Sequence, residues 1–318
     1  MPKMNRFLPA LLLGVVCCAV SAQGPDSAQV GEHIAAARKA AYPQWAAAAE
    51  FFCSEGATPN RADDPELEPA KIFDNVYVIG RSGTAIYAVT TNAGIMLIDS
   101  GYADQVDSIL LPGLKKLGLD PAKIKYVVVT HGHGDHFGGA QYLQAHFGAR
   151  VALSAADWDL IEKSAAQAKG PPITPPKRDV VAVEGQAITL GDETVTPVFI
   201  PGHTPGSLGL IFPVKDAGKI HMAGLYGGTV LTPKIISNEG LHQYLQSINH
   251  FAEITRQMKV DVELQNHPLM DGMGEKLVRL QARKSGTPNP FVVGEATYAR
   301  FLDVMSECMQ AQIARRGN

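Results

Sequence analysis

Residues 127–139 read Val-Val-Val-Thr-His-Gly-His-Gly-Asp-His-Phe-Gly-Gly, and no other stretch limits the fold as tightly. Val127, Val128, Val129 and Thr130 are β-branched and favour a strand. They run straight into His131, His133, Asp135 and His136, interleaved with Gly132 and Gly134. Residues 140–147 then change to a helical pattern. The segment reads as a strand end, a ligand loop and a helix start. Imidazole and carboxylate are the side chains that hold Zn²⁺ or a similar first-row ion. The two glycines let the backbone turn tightly enough for several side chains to converge on one point. A single histidine after a strand is an ordinary core or surface residue. Three histidines and an aspartate within six positions call for a metal.

The rest of the chain must supply the remaining ligands and a scaffold. With 318 residues, 46% of them hydrophobic and 19% charged, it is long enough for one large core or two joined halves. The net charge of -3 and the absence of like-charge blocks give no basic footprint for nucleic acid. The first residues are not expected to join the fold. Lys3 and Arg6 precede an apolar run over 8–20, and Val20-Ser21-Ala22 offers small residues for cleavage. Residues 1–22 therefore read as a secretory signal peptide, too short to span a membrane comfortably. A lipid anchor on Cys17 or Cys18 is disfavoured because Val16 is bulky where a small residue is needed. The expected mature chain, 23–318, is a single periplasmic domain, a monomer free of the membrane. It keeps two cysteines, Cys53 and Cys308. An even pair in an exported chain suggests a disulfide joining an N-terminal helix to a C-terminal one; two separate buried thiols are the alternative.

Helical patterns fill 23–58, and a loop with three prolines and several acids covers 58–70. Short strands at 76–79, 85–91 and 94–98, each closed by turn residues, predict an antiparallel meander. A helix over 105–117 leads to the strand at 126–130. A strand at 151–154 and a helix over 155–168 follow, then a stiff loop with four prolines in 170–176, placed to act as a flap. The second half predicts strands at 195–200, 208–212, 220–223 and 260–264, and helices over 241–258, 275–284 and 295–313. Two strand ends repeat the habit of the first motif. One leads into Pro201-Gly202-His203-Thr204-Pro205, the other into Gln265-Asn266-His267-Pro268. Ligands at strand ends stand on rigid supports while their loops stay open to substrate. His33, His146, His221, His242 and His250 lack this setting and read as surface or satisfied polar groups.

The run His131-Gly132-His133-Gly134-Asp135-His136, the Pro-Gly-His turn at 203 and the strand-end His267 together resemble the metallo-β-lactamase superfamily, over about residues 73–271. The resemblance implies an α/β fold, an αββα sandwich of two mainly antiparallel sheets flanked by helices, with the metals at one edge. It implies one Zn²⁺ on His131, His133 and His203 and a second on Asp135, His136 and His267. Many hydrolases of the superfamily, among them thioesterases, lactonases and phosphodiesterases, place a metal-bridging aspartate at the end of the strand that corresponds to 219–223. Here Gly224-Leu225-Tyr226-Gly227-Gly228-Thr229 follows, with no carboxylate and no cysteine. What remains resembles the third, cysteine-free, di-zinc subclass of metallo-β-lactamases. The activity implied is opening of a β-lactam ring by a hydroxide held between the metals, oriented by Asp135 as the catalytic carboxylate. A lactone, thioester or phosphodiester hydrolase and a non-catalytic periplasmic zinc-binding protein are the alternatives. Leu225 stands where that subclass often has a substrate-binding serine; Ser207, Leu225, Tyr226 and Thr229 are the expected substrate contacts, with the apolar Phe137 and Leu225 either on the substrate body or closing the core. Asp99, at a strand end, is expected either to orient a ligand imidazole or to cap a turn.

Overall fold

The computed structural model describes residues 27–54, 64–167, 173–231 and 236–317. The expected signal peptide lies outside them, as do 58–63 of the acidic loop and 170–172 of the proline-rich one.

The first sheet opens as the expected meander: β1 (Ala70–Lys71), β2 (Val76–Gly80), β3 (Ala85–Thr91) and β4 (Gly94–Ile98) pair antiparallel in sequence order. It then changes character. β5 (Ile124–Val128), β6 (Arg150–Ser154) and β7 (Val180–Ala182) add on in parallel. Parallel neighbours need a crossover, and helices supply it. Before β5 this is α1 (Leu111–Lys116), preceded by one widened turn at Val106–Leu110. Pro112 has no amide hydrogen to donate back, so the expected helix over 105–117 is regular only in part. Between β5 and β6 run α2 (Gly134–Phe137) and α3 (Ala140–Phe147), and α4 (Ala155–Gln167) follows β6.

The second sheet has the order β12-β11-β10-β9-β8, built from β8 (Ile188–Leu190), β9 (Glu193–Phe199), β10 (Leu208–Asp216), β11 (Lys219–Tyr226) and β12 (Val262–Leu264). Only the β11–β12 pairing is parallel, bridged by α5 (Asn238–Gln257). The expectation of mainly antiparallel sheets thus holds for the second sheet and needs correcting for the first, which is half parallel because each crossover helix returns the chain in the same direction.

Period-two patterning stacks the layers. Tyr87, Val89, Met96, Ile98 and Val128 meet Leu208, Leu210, Phe212 and Leu225 in a core between the sheets. Their neighbours Ile86, Ala88, Leu97, Val127 and Val151 point the other way, onto Leu114, Leu143, Trp158 and Ile161 of the helices outside the first sheet. Val198, Ile211 and Tyr226 face outward from the second sheet onto Tyr244 and Phe251 of α5; of two further helices, α6 (Met273–Gln281) adds Met273 and Leu277 to the core between the sheets, and α7 (Glu295–Arg315) packs on the outward face. The N-terminal helices Ala28–Ala41 and Ala46–Cys53 pack on α7 as well. Cys53 and Cys308 are disulfide-bonded, as the cysteine count suggested. The architecture is αββα. The C-terminal ends of β4, β5, β6, β9 and β12 come out at one edge, because β4, β5 and β6 are parallel neighbours and the two sheets face each other.

Candidate metal centre

Two groups of three donors meet at that edge: His131, His133 and His203, and beside them Asp135, His136 and His267. In the first group His203 Nε2 lies 3.0 Å from His131 Nε2 and 2.9 Å from His133 Nδ1. In the second, His136 Nε2 is 3.1 Å from His267 Nε2 and 3.3 Å from Asp135 Oδ2. The His131 and His136 ring centroids are only 4.0 Å apart, so the groups abut.

The other ring nitrogens decide what the converging ones can be. Asp99 is wholly buried, and its Oδ2 lies 2.7 Å from His136 Nδ1. An ionised carboxylate only accepts, so Nδ1 carries the hydrogen and Nε2 a lone pair. His267 Nδ1 lies 2.5 Å from the Gly83 carbonyl, which also only accepts, so its Nε2 is a second lone pair. These two lone pairs face each other at 3.1 Å with a carboxylate alongside. Two neutral imidazoles cannot rest in that arrangement; it needs a cation between them, a metal ion or a proton on one of the rings. Ligand nitrogens about 2.0–2.1 Å from a tetrahedral ion lie about 3.3 Å apart, close to the spacing found here. The donor set therefore fits a first-row cation in each group, since imidazole and carboxylate are donors such ions take.

The surrounding shell fixes the donors. Thr130 gives its amide and its hydroxyl to Asp99, at 2.7 and 2.9 Å, and its Oγ1 sits 3.1 Å from His131 Nδ1. With the hydroxyl proton committed to Asp99, Oγ1 accepts from His131, which leaves His131 Nε2 bare. One carboxylate thus sets a tautomer in each group. Asp99 pays for this position with a left-handed backbone (φ 61°), held by the Thr130 amide. The orienting role expected for it, rather than plain turn capping, is the one its contacts describe. Asn266 donates to Thr130 Oγ1 at 3.0 Å and reaches Asp99 at 3.3 Å. Asp157 ties two ligand loops together: it accepts from the Gly132 amide (2.7 Å), the Thr204 hydroxyl (2.6 Å) and the Gly206 amide (2.8 Å). Asp64 accepts from Ser82 Oγ and the Gly83 amide, and so holds the carbonyl that orients His267.

Electrostatics follow from burial and crowding. Burial, and then the neighbouring imidazoles, hold His131 and His203 well below the usual histidine range; burial first also lowers His133, and takes His267 down to about 4. His136 goes the other way. Burial opposes its charge, but Asp135 and Asp99 outweigh burial and push it up to about 10. For Asp135 burial raises the carboxyl, and His136, by charge and hydrogen bond, overrides it and keeps it well below the ordinary carboxylate range. Without metal, the cation between His136, His267 and Asp135 is a proton.

Thr130, Asn266, Asp157 and Asp64 went unnoticed in the sequence. Thr130 and Asn266 each immediately precede a ligand histidine, and Asp157 follows the strand next to β5, so position beside a ligand strand end was the available signal. Burial keeps the side chains of all four expected substrate contacts from solvent, and gives Leu225 the second of its two expected roles, closing the core. Ser207 is buried in the Pro-Gly-His turn, where its hydroxyl receives the Thr204 amide at 3.0 Å. Leu225 lies in the core between the sheets and Tyr226 against Tyr244 and Phe251. Thr229 has no accessible surface. Side chains fully enclosed in this way offer a substrate nothing to touch in this conformation. Phe137 is 7% exposed and packs in the core behind the ligand loop, the second of its two expected roles. The stretch after β11 reaches the centre by main chain alone: a side chain at Gly228, which is left-handed (φ 78°), would run into the His203 ring. Ile173, from the proline-rich loop, lies against Gly134, so the described part of that loop does border the ligand loop. Of the remaining histidines, His33, His221 and His250 pair with Glu307, Asp261 and Glu184.

A family model described as the metallo-beta-lactamase superfamily matches residues 79–217. The chain carries a metallo-beta-lactamase superfamily domain. Subclass B3 metallo-beta-lactamases share its fold. BJP-1 of Bradyrhizobium japonicum is 28% identical, with a TM-score of 0.69 over 80% of this chain and 96% of that one. Native FEZ-1 from Legionella gormanii is 26% identical, with a TM-score of 0.65 over 76% and 94%. Curated relatives by sequence carry a different name. The hydroxyacylglutathione hydrolase of Acidiphilium cryptum is 39% identical over 113 residues, 36% of this chain and 40% of that protein. That of Cereibacter sphaeroides (strain ATCC 17025) is 33% identical over 96 residues, 30% and 31%. The chain thus spans less than half the length of these relatives. No described helix of this metallo-beta-lactamase-fold protein is long and apolar enough to cross a membrane.

Proposed function

We propose that this protein is an exported, zinc-dependent hydrolase that opens β-lactam rings. The observation behind the metal reading is the convergence of His136 Nε2, His267 Nε2 and Asp135 Oδ2, with the Nδ1 atoms of both rings turned to Asp99 and to the Gly83 carbonyl. His131, His133 and His203 would hold one ion, Asp135, His136 and His267 the other. Bound there, two Zn²⁺ ions supply Lewis acidity and bring the pKa of water to about 7. The protein's own part is orientation. Asp99 keeps His131 and His136 in the ligating tautomer, and Asp157 keeps the loops of His133 and His203 at one spacing. Asp135 is one-fifth exposed while His136 beside it is wholly enclosed, so it is the second group's carboxylate within reach of an attacking water. Its depressed pKa suits it to accept a hydrogen bond from that water and aim it, and makes it a poor place to store a proton.

The β-lactam substrate is supported by the subclass B3 fold relatives and by the end of β11, where Gly224 to Gly228 provide no bridging carboxylate. The Cys53–Cys308 disulfide supports export to an oxidising compartment such as the periplasm. A hydroxyacylglutathione is the second reading, favoured by the curated sequence relatives. The purified zinc-loaded protein should be assayed with a chromogenic cephalosporin and with a hydroxyacylglutathione, beside His133→Ala. Turnover of the cephalosporin is expected, abolished by EDTA and lowered in His133→Ala by more than about a hundredfold, the upper end for losing a group that only supports a ligand. Turnover of the glutathione thioester alone would shift the assignment to the second reading; a fully active His133→Ala would refute the ligand set.

A further inference from the structure

Behind the loop that carries His267 lies a charged cluster that the proposed chemistry does not use. Lys276 of α6 is buried, and its ammonium sits 2.9 Å from Glu263 Oε2 and 3.0 Å from Asp271 Oδ2. Both carboxylates are fully enclosed. The rings of Trp45 and Phe291, each 5.5 Å from the ammonium, cover it further. Glu263 belongs to β12, four residues before His267, and Asp271 comes four residues after it. One ammonium therefore clasps both ends of the 263–271 segment.

Between those ends the segment crosses from the second sheet to the first. The Gln265 carbonyl accepts from Tyr87 Oη at 2.7 Å, the Asn266 carbonyl accepts from the Ala85 amide at 2.9 Å, and His267 Nδ1 donates to Gly83. Each of these bonds fixes a tip residue, and none fixes how far the tip stands from β12. Burying three charges is expensive, and well-packed apolar residues of the same volume are commonly as stable or more so. A clasp of this kind is an inefficient way to gain stability alone, and it is placed where it sets the reach of the loop.

We propose that Lys276 is a positioning residue for the second cation site, holding Glu263 and Asp271 together so that His267 Nε2 meets His136 Nε2. The inference rests on the two-metal reading above. It is tested by titrating the metal-free full chain with Zn²⁺ against a chromogenic chelator, with circular dichroism to verify folding. Lys276→Met alone leaves two buried carboxylates unpaired and risks unfolding, so the decisive variant is the charge-free E263Q/K276M/D271N. Wild type is expected to bind two ions. The triple variant should keep one at wild-type affinity within twofold and bind the other at least tenfold more weakly. E263Q, which frees one end only, should weaken the second ion by less. Two ions bound as in wild type by a folded triple variant would overturn the positioning role and leave the cluster a purely structural one. A wild-type chain that binds fewer than two ions would instead overturn the two-metal reading, and the inference with it.

Discussion

At the residue scale, the centre is a problem of proton bookkeeping. Five imidazoles crowd one edge, and their environments split them. Four are held neutral by burial, while His136 is held charged by Asp135 and Asp99. The split has a thermodynamic sign. His136 has a folded pKa of about 10 against an ordinary 6.5, so its contribution to stability is complete below 6.5 and is lost as pH rises through about 10. Glu263, raised by burial to about 7 from 4.5, also loses its contribution as pH climbs through neutrality. The lowered histidines act in the opposite sense, but their change is finished by about pH 6.5. Metal-free protein is therefore expected to show a Tm that falls between about pH 7 and about pH 9, and calorimetry in matched buffers checks it. In His136→Ala the slope should flatten. A Tm that rises across this window would contradict the assignment of the proton to His136. The six donors were legible in the sequence because strand-favouring residues led directly into them. Asp157 and Asp64 were not, because a lone aspartate carries no pattern and its partners, Gly132, Thr204, Gly206, Ser82 and Gly83, come from other parts of the chain.

At the scale of elements, strands were readable where apolar residues ran on without a break between turn residues, as in β3 and β4, whose bounds matched at both ends. β1, β7 and β8 have two or three residues each, too few for a period of two to stand out. Pairing direction was less legible than strand position, since it depends on which connection is a crossover. The same gap left both expected roles of Leu225 open; alternation along β11 puts its side chain into the core between the sheets, with Tyr226 on the opposite face. Leu225→Ser, which adds a hydroxyl at the position of that subclass's serine, should leave a cavity and a buried polar group, costing about 2–5 kcal/mol in denaturant unfolding. KM for the substrate should not improve. A variant of unchanged stability with a lower KM would show that the side chain faces the cleft.

At the scale of the whole molecule, two sheets face each other so that strand ends far apart in sequence share an edge. Neither half holds a complete centre: the first sheet supplies His131, His133, Asp135, His136 and Asp99, the second His203 and His267. The disulfide, 255 residues apart in sequence, binds the N-terminal helices to α7 on the far side of the second sheet. Trp45 of that helical layer covers the ammonium behind the His267 loop. Which helices cover which sheet was not legible, because several are amphipathic and either outer face would bury them. The claim that everything else depends on is that the shared edge holds two metal ions. Anomalous diffraction at the zinc edge, from crystals grown with Zn²⁺, tests it most directly. Two peaks are expected about 3.5–4 Å apart, one about 2.0–2.2 Å from His131 Nε2, His133 Nδ1 and His203 Nε2, the other equally close to Asp135 Oδ2, His136 Nε2 and His267 Nε2. A single peak in the first group, with His136 Nε2 and His267 Nε2 bonded only to each other or to water, would contradict it.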